Sequence, residues 1–126
     1  MARPLHVLVV DDELLIRWSV SETLSAAGHS VAQASDGHSA MVALKSLGDV
    51  DVVLLDYRLP DSDDLALLGR IRHVAPNAAV VMMTAYSTPE MISGALALGA
   101  QAVMTKPFDM DHVAAVVWNA HESRPH

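Results

Sequence analysis

The chain contains no cysteine, which excludes disulfides, thiol redox chemistry and thiolate metal sites together. Basic residues are also scarce: 8 Lys and Arg stand against 15 Asp and Glu, a formal charge of -7. Affinity for a polyanion rests largely on cationic side chains neutralising phosphates, so nucleic-acid binding by this segment is not expected, and the acids invite a cation instead. Long apolar runs are missing. Val50 to Leu55 and Ala78 to Met83 fall far short of the roughly 20 residues that span a bilayer, so no membrane helix is expected. The start, Met1-Ala2-Arg3-Pro4, enters an apolar run without the small-residue cleavage site of a signal peptide, and a cytoplasmic location is expected. The 7 histidines are scattered, with no pair at metal-ligand spacing on an expected helix; they read as surface residues, and zinc is not expected.

What is present fits one ordinary domain: 126 residues, 52% hydrophobic and 18% charged, can fold around a single core. His6-Val7-Leu8-Val9-Val10 is a short β-branched run that stops at Asp11-Asp12-Glu13. Val50 to Leu55 stops in the same way at Asp56, and Ala78 to Met83 stops at Thr84. Continuous apolar strands belong to a parallel sheet covered on both faces, because a half-exposed strand alternates polar and apolar residues. Weaker strands are expected over Ser30 to Ala34 and Ala102 to Met104. Between them run helical stripes: Ile16, Val20, Leu24 and Ala27, with Gly28 as the stop; Ala40, Leu44 and Leu47; Leu65, Leu68 and Ile71; and Val113, Val116, Val117 and Ala120. A further helix, roughly residues 89–98, has no clear apolar stripe. The domain is read as residues 4–121, and residues 122–126 as a frayed end or the start of a linker.

Five alternations of strand and helix imply a doubly wound α/β domain with right-handed crossovers. In such folds ligands bind beyond the carboxyl ends of the strands. The residues there are Asp11 and Asp12, Asp56, Thr84 and, just past the fifth strand, Lys106. Three carboxylates in one pocket repel by roughly 4 kcal/mol per pair at about 4 Å and an effective dielectric near 20. A hard divalent cation with oxygen ligands relieves this, and a lysine adds a mobile charge suited to phosphate.

Val9-Val10-Asp11-Asp12-Glu13, Leu54-Leu55-Asp56-Tyr57-Arg58-Leu59-Pro60, Met83-Thr84-Ala85 and Thr105-Lys106-Pro107-Phe108 together resemble the response-regulator receiver family of two-component signalling, over Val7 to about Ala120. Ile16-Arg17-Trp18-Ser19-Val20 and Lys106 to Asp111 are similar to receivers of the nitrogen-regulator type, which control an ATPase and a DNA-binding domain. The resemblance implies a flavodoxin-like sheet of order 2-1-3-4-5. It further implies that Asp56 is phosphorylated by a sensor histidine kinase or phosphotransfer protein. Asp12, Asp56 and the backbone carbonyl of Arg58 would ligate Mg²⁺ directly, and Asp11 through water. Thr84 and Lys106 would hold phosphoryl oxygens, and a cis Lys106-Pro107 bond would aim the lysine inward. The fourth helix, fifth strand and fifth helix would form the responsive face, through which the domain could pair with a second copy.

The sequence departs from the family in three places. Where most receivers carry a switching Tyr or Phe, three residues before the lysine, this chain has Val103. Tyr86 is the nearest aromatic candidate to cover the site or to take over part of that role. Arg58 and Tyr86 occupy positions that in the family flank the approach of hydrolytic water, which implies a slowly decaying phosphoryl group. The loop after Pro60 reads Asp61-Ser62-Asp63-Asp64, with acids that add to cation affinity and with Asp64 where the family favours Gly.

Alternatives remain at this point. Asp11, Asp12 and Asp56 taken singly are equally helix caps or loop acids, and Leu14, Leu15 and Trp18 are either a partner-docking surface or simple packing. A degenerate receiver would be an interaction module only. A phosphatase of the haloacid dehalogenase type needs a second acid where Arg58 stands, and a flavodoxin-like cofactor carrier needs a hydroxyl-rich loop after the first strand.

Overall fold

The computed structural model describes residues 3–62 and 65–124. Elements alternate strictly: β1 (His6–Val10), α1 (Leu14–Ala26), β2 (Ser30–Ala34), α2 (Gly37–Leu47), β3 (Val52–Asp56), α3 (Ala66–Val74), β4 (Ala79–Thr84), α4 (Pro89–Ala97), β5 (Ala102–Thr105) and α5 (Met110–Ser123). Among the described residues the five strands form one sheet of order β2-β1-β3-β4-β5. Every pairing is parallel, as the expected topology requires.

The continuous apolar strands are explained by the two covered faces. Alternate side chains point to opposite sides of a strand. Leu8, Val10, Val53, Leu55, Val80 and Met82 pack with residues of α2, α3 and α4. Val7, Val9, Val52, Leu54, Val81 and Met83 pack instead with α1 and α5. Complete burial of such side chains contributes about 1.5–3 kcal/mol each before chain entropy is charged against it. A one-residue slip of any central strand would exchange its two faces without exposing a polar side, so pairing register also depends on the shape of each helical layer.

Several helical details differ from the sequence expectation. On α1, Val20 and Leu24 are buried, but Ala27 lies past the helix end and is exposed. Gly28 takes φ +95 there, a left-handed value that favours glycine. On α2 the inward stripe is Gly37, Ala40, Met41 and Leu44, and Leu47, the last residue of the helix, is 52% exposed rather than part of that stripe. The expected stripe-free helix, α4, buries only Met91 and Ala95, and Gly94 lets Leu65 Cδ1 approach to 2.9 Å of where a Cβ would sit. α5 continues through Ser123, two residues into the stretch read as a frayed end, and His121 is buried rather than on the surface. The readings of Asp63 and Asp64 lie outside the described residues. Among the described residues no helix is long and apolar enough to cross a membrane.

Candidate functional site

Because all strands run the same way, their carboxyl ends share one edge of the sheet. Asp11 follows β1 and continues its ladder, its N–H donating to Ala34 O at 3.1 Å. Asp56 is the last residue of β3 and Thr84 the last of β4. Lys106 follows β5, with its N–H on Thr84 O at 2.7 Å. The structure therefore brings together residues that are up to 95 positions apart in sequence.

Asp11, Asp56 and Thr84 are buried, whereas Asp12 is exposed at the rim. Oxygens of Asp11, Asp12 and Asp56 lie within 4.8 Å of one another. Lys106 Nζ sits between the acids, 2.9 Å from Asp11 Oδ2, 3.3 Å from Asp56 Oδ2 and 3.3 Å from Glu13 Oε1. Burial first, and the Asp11 charge second, push the Asp56 carboxyl up to about 6, although Lys106 and the Arg58 N–H pull the other way. Burial also pulls the Lys106 ammonium down, but its hydrogen bond to Asp11 and the charges of Asp11 and Asp56 outweigh that and hold it above its ordinary value.

One lysine thus faces three acids, and with Asp12 the cluster carries excess negative charge, part of it on the buried Asp11 and Asp56. Oxygen donors at this separation fit a hard divalent cation of the Mg²⁺ or Ca²⁺ kind, which takes carboxylates and retains waters. No side chain caps α1, and Asp11 instead makes a local contact within the loop that precedes the helix. Glu13 is the N-cap of α1 and makes no side-chain cap bond, while Asp11 Oδ1 accepts from Glu13 N at 2.9 Å.

Asp12, Glu13, Asp56, Arg58, Thr84, Ala85, Tyr86 and Lys106 line a concavity of ≈ 300 Å³. At its mouth the Arg58 guanidinium lies over the Tyr86 ring, 4.6 Å from its centroid, although Tyr86 is 60% exposed. The Lys106-Pro107 bond is cis. Val103 is not among the lining residues; it lies opposite Met82 in the sheet and packs toward the α4 side. Pro107 also stands outside the lining. A larger concavity of ≈ 480 Å³ opens at the other end of the strands, around Arg3, His6, Asp51 and Arg124. Arg3 pairs there with Asp51 and Arg124 with His121, whereas the clustered aspartates and Lys106 stand at the smaller concavity.

Sequence reasoning missed three supporting residues. Glu13 shares Lys106, a role hinted at only by its place beside the two aspartates. Arg17 donates from Nη1 to Asp11 O at 2.8 Å and from Nε to Gln33 Oε1 at 3.1 Å, which steadies the loop that carries the acids. Asp61, expected to add to cation affinity, instead accepts from Gly37 N at 2.7 Å and His38 N at 3.0 Å, tying the β3–α3 loop to the start of α2 and standing outside the Asp11, Asp12 and Asp56 cluster. A contact spanning 24 residues leaves no periodic signal that a reader of the sequence could detect.

Comparison with known proteins agrees with this geometry. The family model for the response regulator receiver domain matches residues 7–117. The DNA-binding transcriptional regulator NtrC of Salmonella typhimurium is 39% identical over 114 residues, covering 90% of this chain and 24% of that protein. The chain thus spans about a quarter of the length of the NtrC relatives it matches. Sporulation initiation phosphotransferase F of Bacillus subtilis is 34% identical over 111 residues, covering 88% of this chain and 89% of that protein. The crystal structure of the receiver domain of NtrX from Brucella abortus superposes with a TM-score of 0.84 at 37% identity, covering 93% of this chain and 98% of that one. With its sheet order, its acidic cluster and its lysine in place, the chain belongs to the response regulator receiver domain family.

Proposed function

We propose that the chain is a phosphoacceptor: Asp56 takes a phosphoryl group from a phosphohistidine on a sensor histidine kinase or phosphotransfer protein, in a Mg²⁺-dependent reaction in the cytoplasm. The observation that carries this reading is Asp56 itself. It is a buried carboxylate at a strand end, with Lys106 Nζ at 3.3 Å and two further aspartates close by. An Asp56 oxygen attacks phosphorus, the P–N bond to the donor imidazole breaks, and the freed imidazole nitrogen takes up a proton. Lys106 and the Thr84 hydroxyl hold equatorial phosphoryl oxygens. Asp12, Asp56 and the Arg58 carbonyl would hold the cation directly, and Asp11 would hold it through water. A bound Mg²⁺ supplies the positive charge that offsets the negative charge on those oxygens.

Leu14 is 65% exposed, Leu15 77% and Trp18 55%, so this face of α1 is not taken up by internal packing. It lies beside the acidic rim and supports docking of the donor there. The phosphorylated form then acts on an output domain or partner through α4, β5 and α5, the same face by which two copies would pair. The domain is a signalling module that catalyses only its own phosphorylation and dephosphorylation, with no turnover of general phosphate esters and no nucleic acid bound by the domain itself.

Incubation with a small-molecule phosphodonor and Mg²⁺ is expected to add one phosphoryl group, detected as a mass shift, and Asp56→Asn is expected to abolish it. Persistence of the label in that variant would refute the assignment. Val103 favours a second reading, an interaction module that does not respond to phosphorylation. Beryllofluoride with Mg²⁺ separates the two, because an active receiver changes its amide spectrum and a dead one does not.

A further inference from the structure

The loop between β4 and α4 is held by a short chain of hydrogen bonds that begins at Thr84. Thr84 Oγ1 accepts from Tyr86 N at 2.9 Å, Tyr86 O accepts from Thr88 N at 3.0 Å, and Thr88 Oγ1 caps α4 by accepting from Met91 N at 3.1 Å. One side branch leaves this chain. The Ser87 and Thr105 hydroxyls are 2.8 Å apart, and among the described residues theirs is the side-chain hydrogen bond that joins the loop to β5. Thr105 stands opposite Thr84 in the sheet and directly precedes Lys106. Val103, two residues earlier on the same strand, is packed inward and makes no polar contact with the loop.

We propose that the Ser87–Thr105 hydroxyl pair is a latch that holds the resting conformation and passes the state of Thr84 to β5 and α4. The proposal rests on the phosphoacceptor reading of Asp56. In the resting arrangement the Thr84 oxygen is committed to the Tyr86 N–H. Rotation of Thr84 toward a phosphoryl group on Asp56 withdraws that acceptor, so the Tyr86 amide and the residues after it shift. Ser87 then leaves Thr105, and β5 is freed from the loop. A hydroxyl pair suits this task because it is directional, confined to one geometry and cheap to break, so a local change can move a two-state balance. β-Branched Val103 offers no polar or swinging group for the purpose.

A contact made only in the resting state must weaken the binding of any ligand that prefers the active one. Ser87→Ala and Thr105→Val are therefore expected to bind beryllofluoride with Mg²⁺ roughly two- to ten-fold more tightly than the natural chain. Before any addition, their α4 and β5 amide resonances should already lie part of the way toward the activated positions. The double variant should gain no more than either single one, because both remove the same bond. Thr105→Ser, which keeps the hydroxyl, should bind as the natural chain does. Unchanged or weaker binding in the single variants, additive gains in the double one, or failure of the serine to restore the natural affinity would overturn the latch. Absence of any response in the natural chain would instead overturn the phosphoacceptor reading, so the two failures are distinguishable.

Discussion

Asp56 sits where its charge is least welcome, and that has a measurable consequence for stability. Its carboxyl ordinarily titrates near 3.8 and is pushed up to about 6 in the folded chain. A group whose folded pKa is raised favours folding while it is protonated in both states, below about 3.8, and that advantage is lost as pH rises through about 6. Above this window the unfolded chain bears the charge more easily, by about 2–3 kcal/mol. With chelator present, Asp56→Asn is expected to stabilise the domain in urea unfolding, by roughly 1 kcal/mol more at pH 8 than at pH 5. An equal gain at both pH values would show that the burial of Asp56 is unimportant. Tyr86 acts at the mouth of the same site, where Arg58 stacks on its ring. Its removal opens a path for water, so Tyr86→Ala is expected to shorten the lifetime of the phosphorylated domain, by on the order of two- to ten-fold in phosphoryl release followed by mass. These two side chains were visible in the sequence as neighbours of the motif, but their stacking was not, since it depends on how two loops are set side by side.

At the scale of elements, the strands were the most legible part, because an apolar run ending at an acid states both its burial and its exit point. Asp56 and Thr84 close β3 and β4 as expected. The helices were less legible where few residues face inward. α4 turns only Met91 and Ala95 to the core, too few to form a stripe, and its start is set by Thr88, whose side chain caps Met91 N. α2 owes its start to a partner far away. Asp36 and Ser39 form a capping box, and the Asp61 carboxylate takes the N–H groups of Gly37 and His38. Loss of such charge-assisted caps costs about 1–2 kcal/mol, so Asp61→Ala is expected to lower stability by that amount in denaturant unfolding. The loss should be matched by faster hydrogen exchange in the first turn of α2, a local signature that general destabilisation would not give.

For the molecule as a whole, a net charge of -7 and three clustered aspartates fit a divalent cation, which on the proposed reading would be a stabilising ligand. Binding to the folded state alone adds about 2.7 kcal/mol when the free ion is about a hundredfold above its dissociation constant. Mg²⁺ is therefore expected to raise the melting temperature of the natural chain and to do so much less for Asp12→Ala, which thermal unfolding with and without the ion measures. Equal shifts in both would move the cation elsewhere. The sequence by itself determined the alternation of strand and helix, the burial of both faces of the sheet, and the residue types at each strand end, because these follow from local periodicity and from where apolar runs stop. Only the tertiary structure decided that Lys106 is shared among Asp11, Asp56 and Glu13, that Ser87 meets Thr105, and that Asp61 holds α2. Each of these joins side chains that are distant along the chain, and their meeting is set by the sheet order and by loop paths rather than by any local preference.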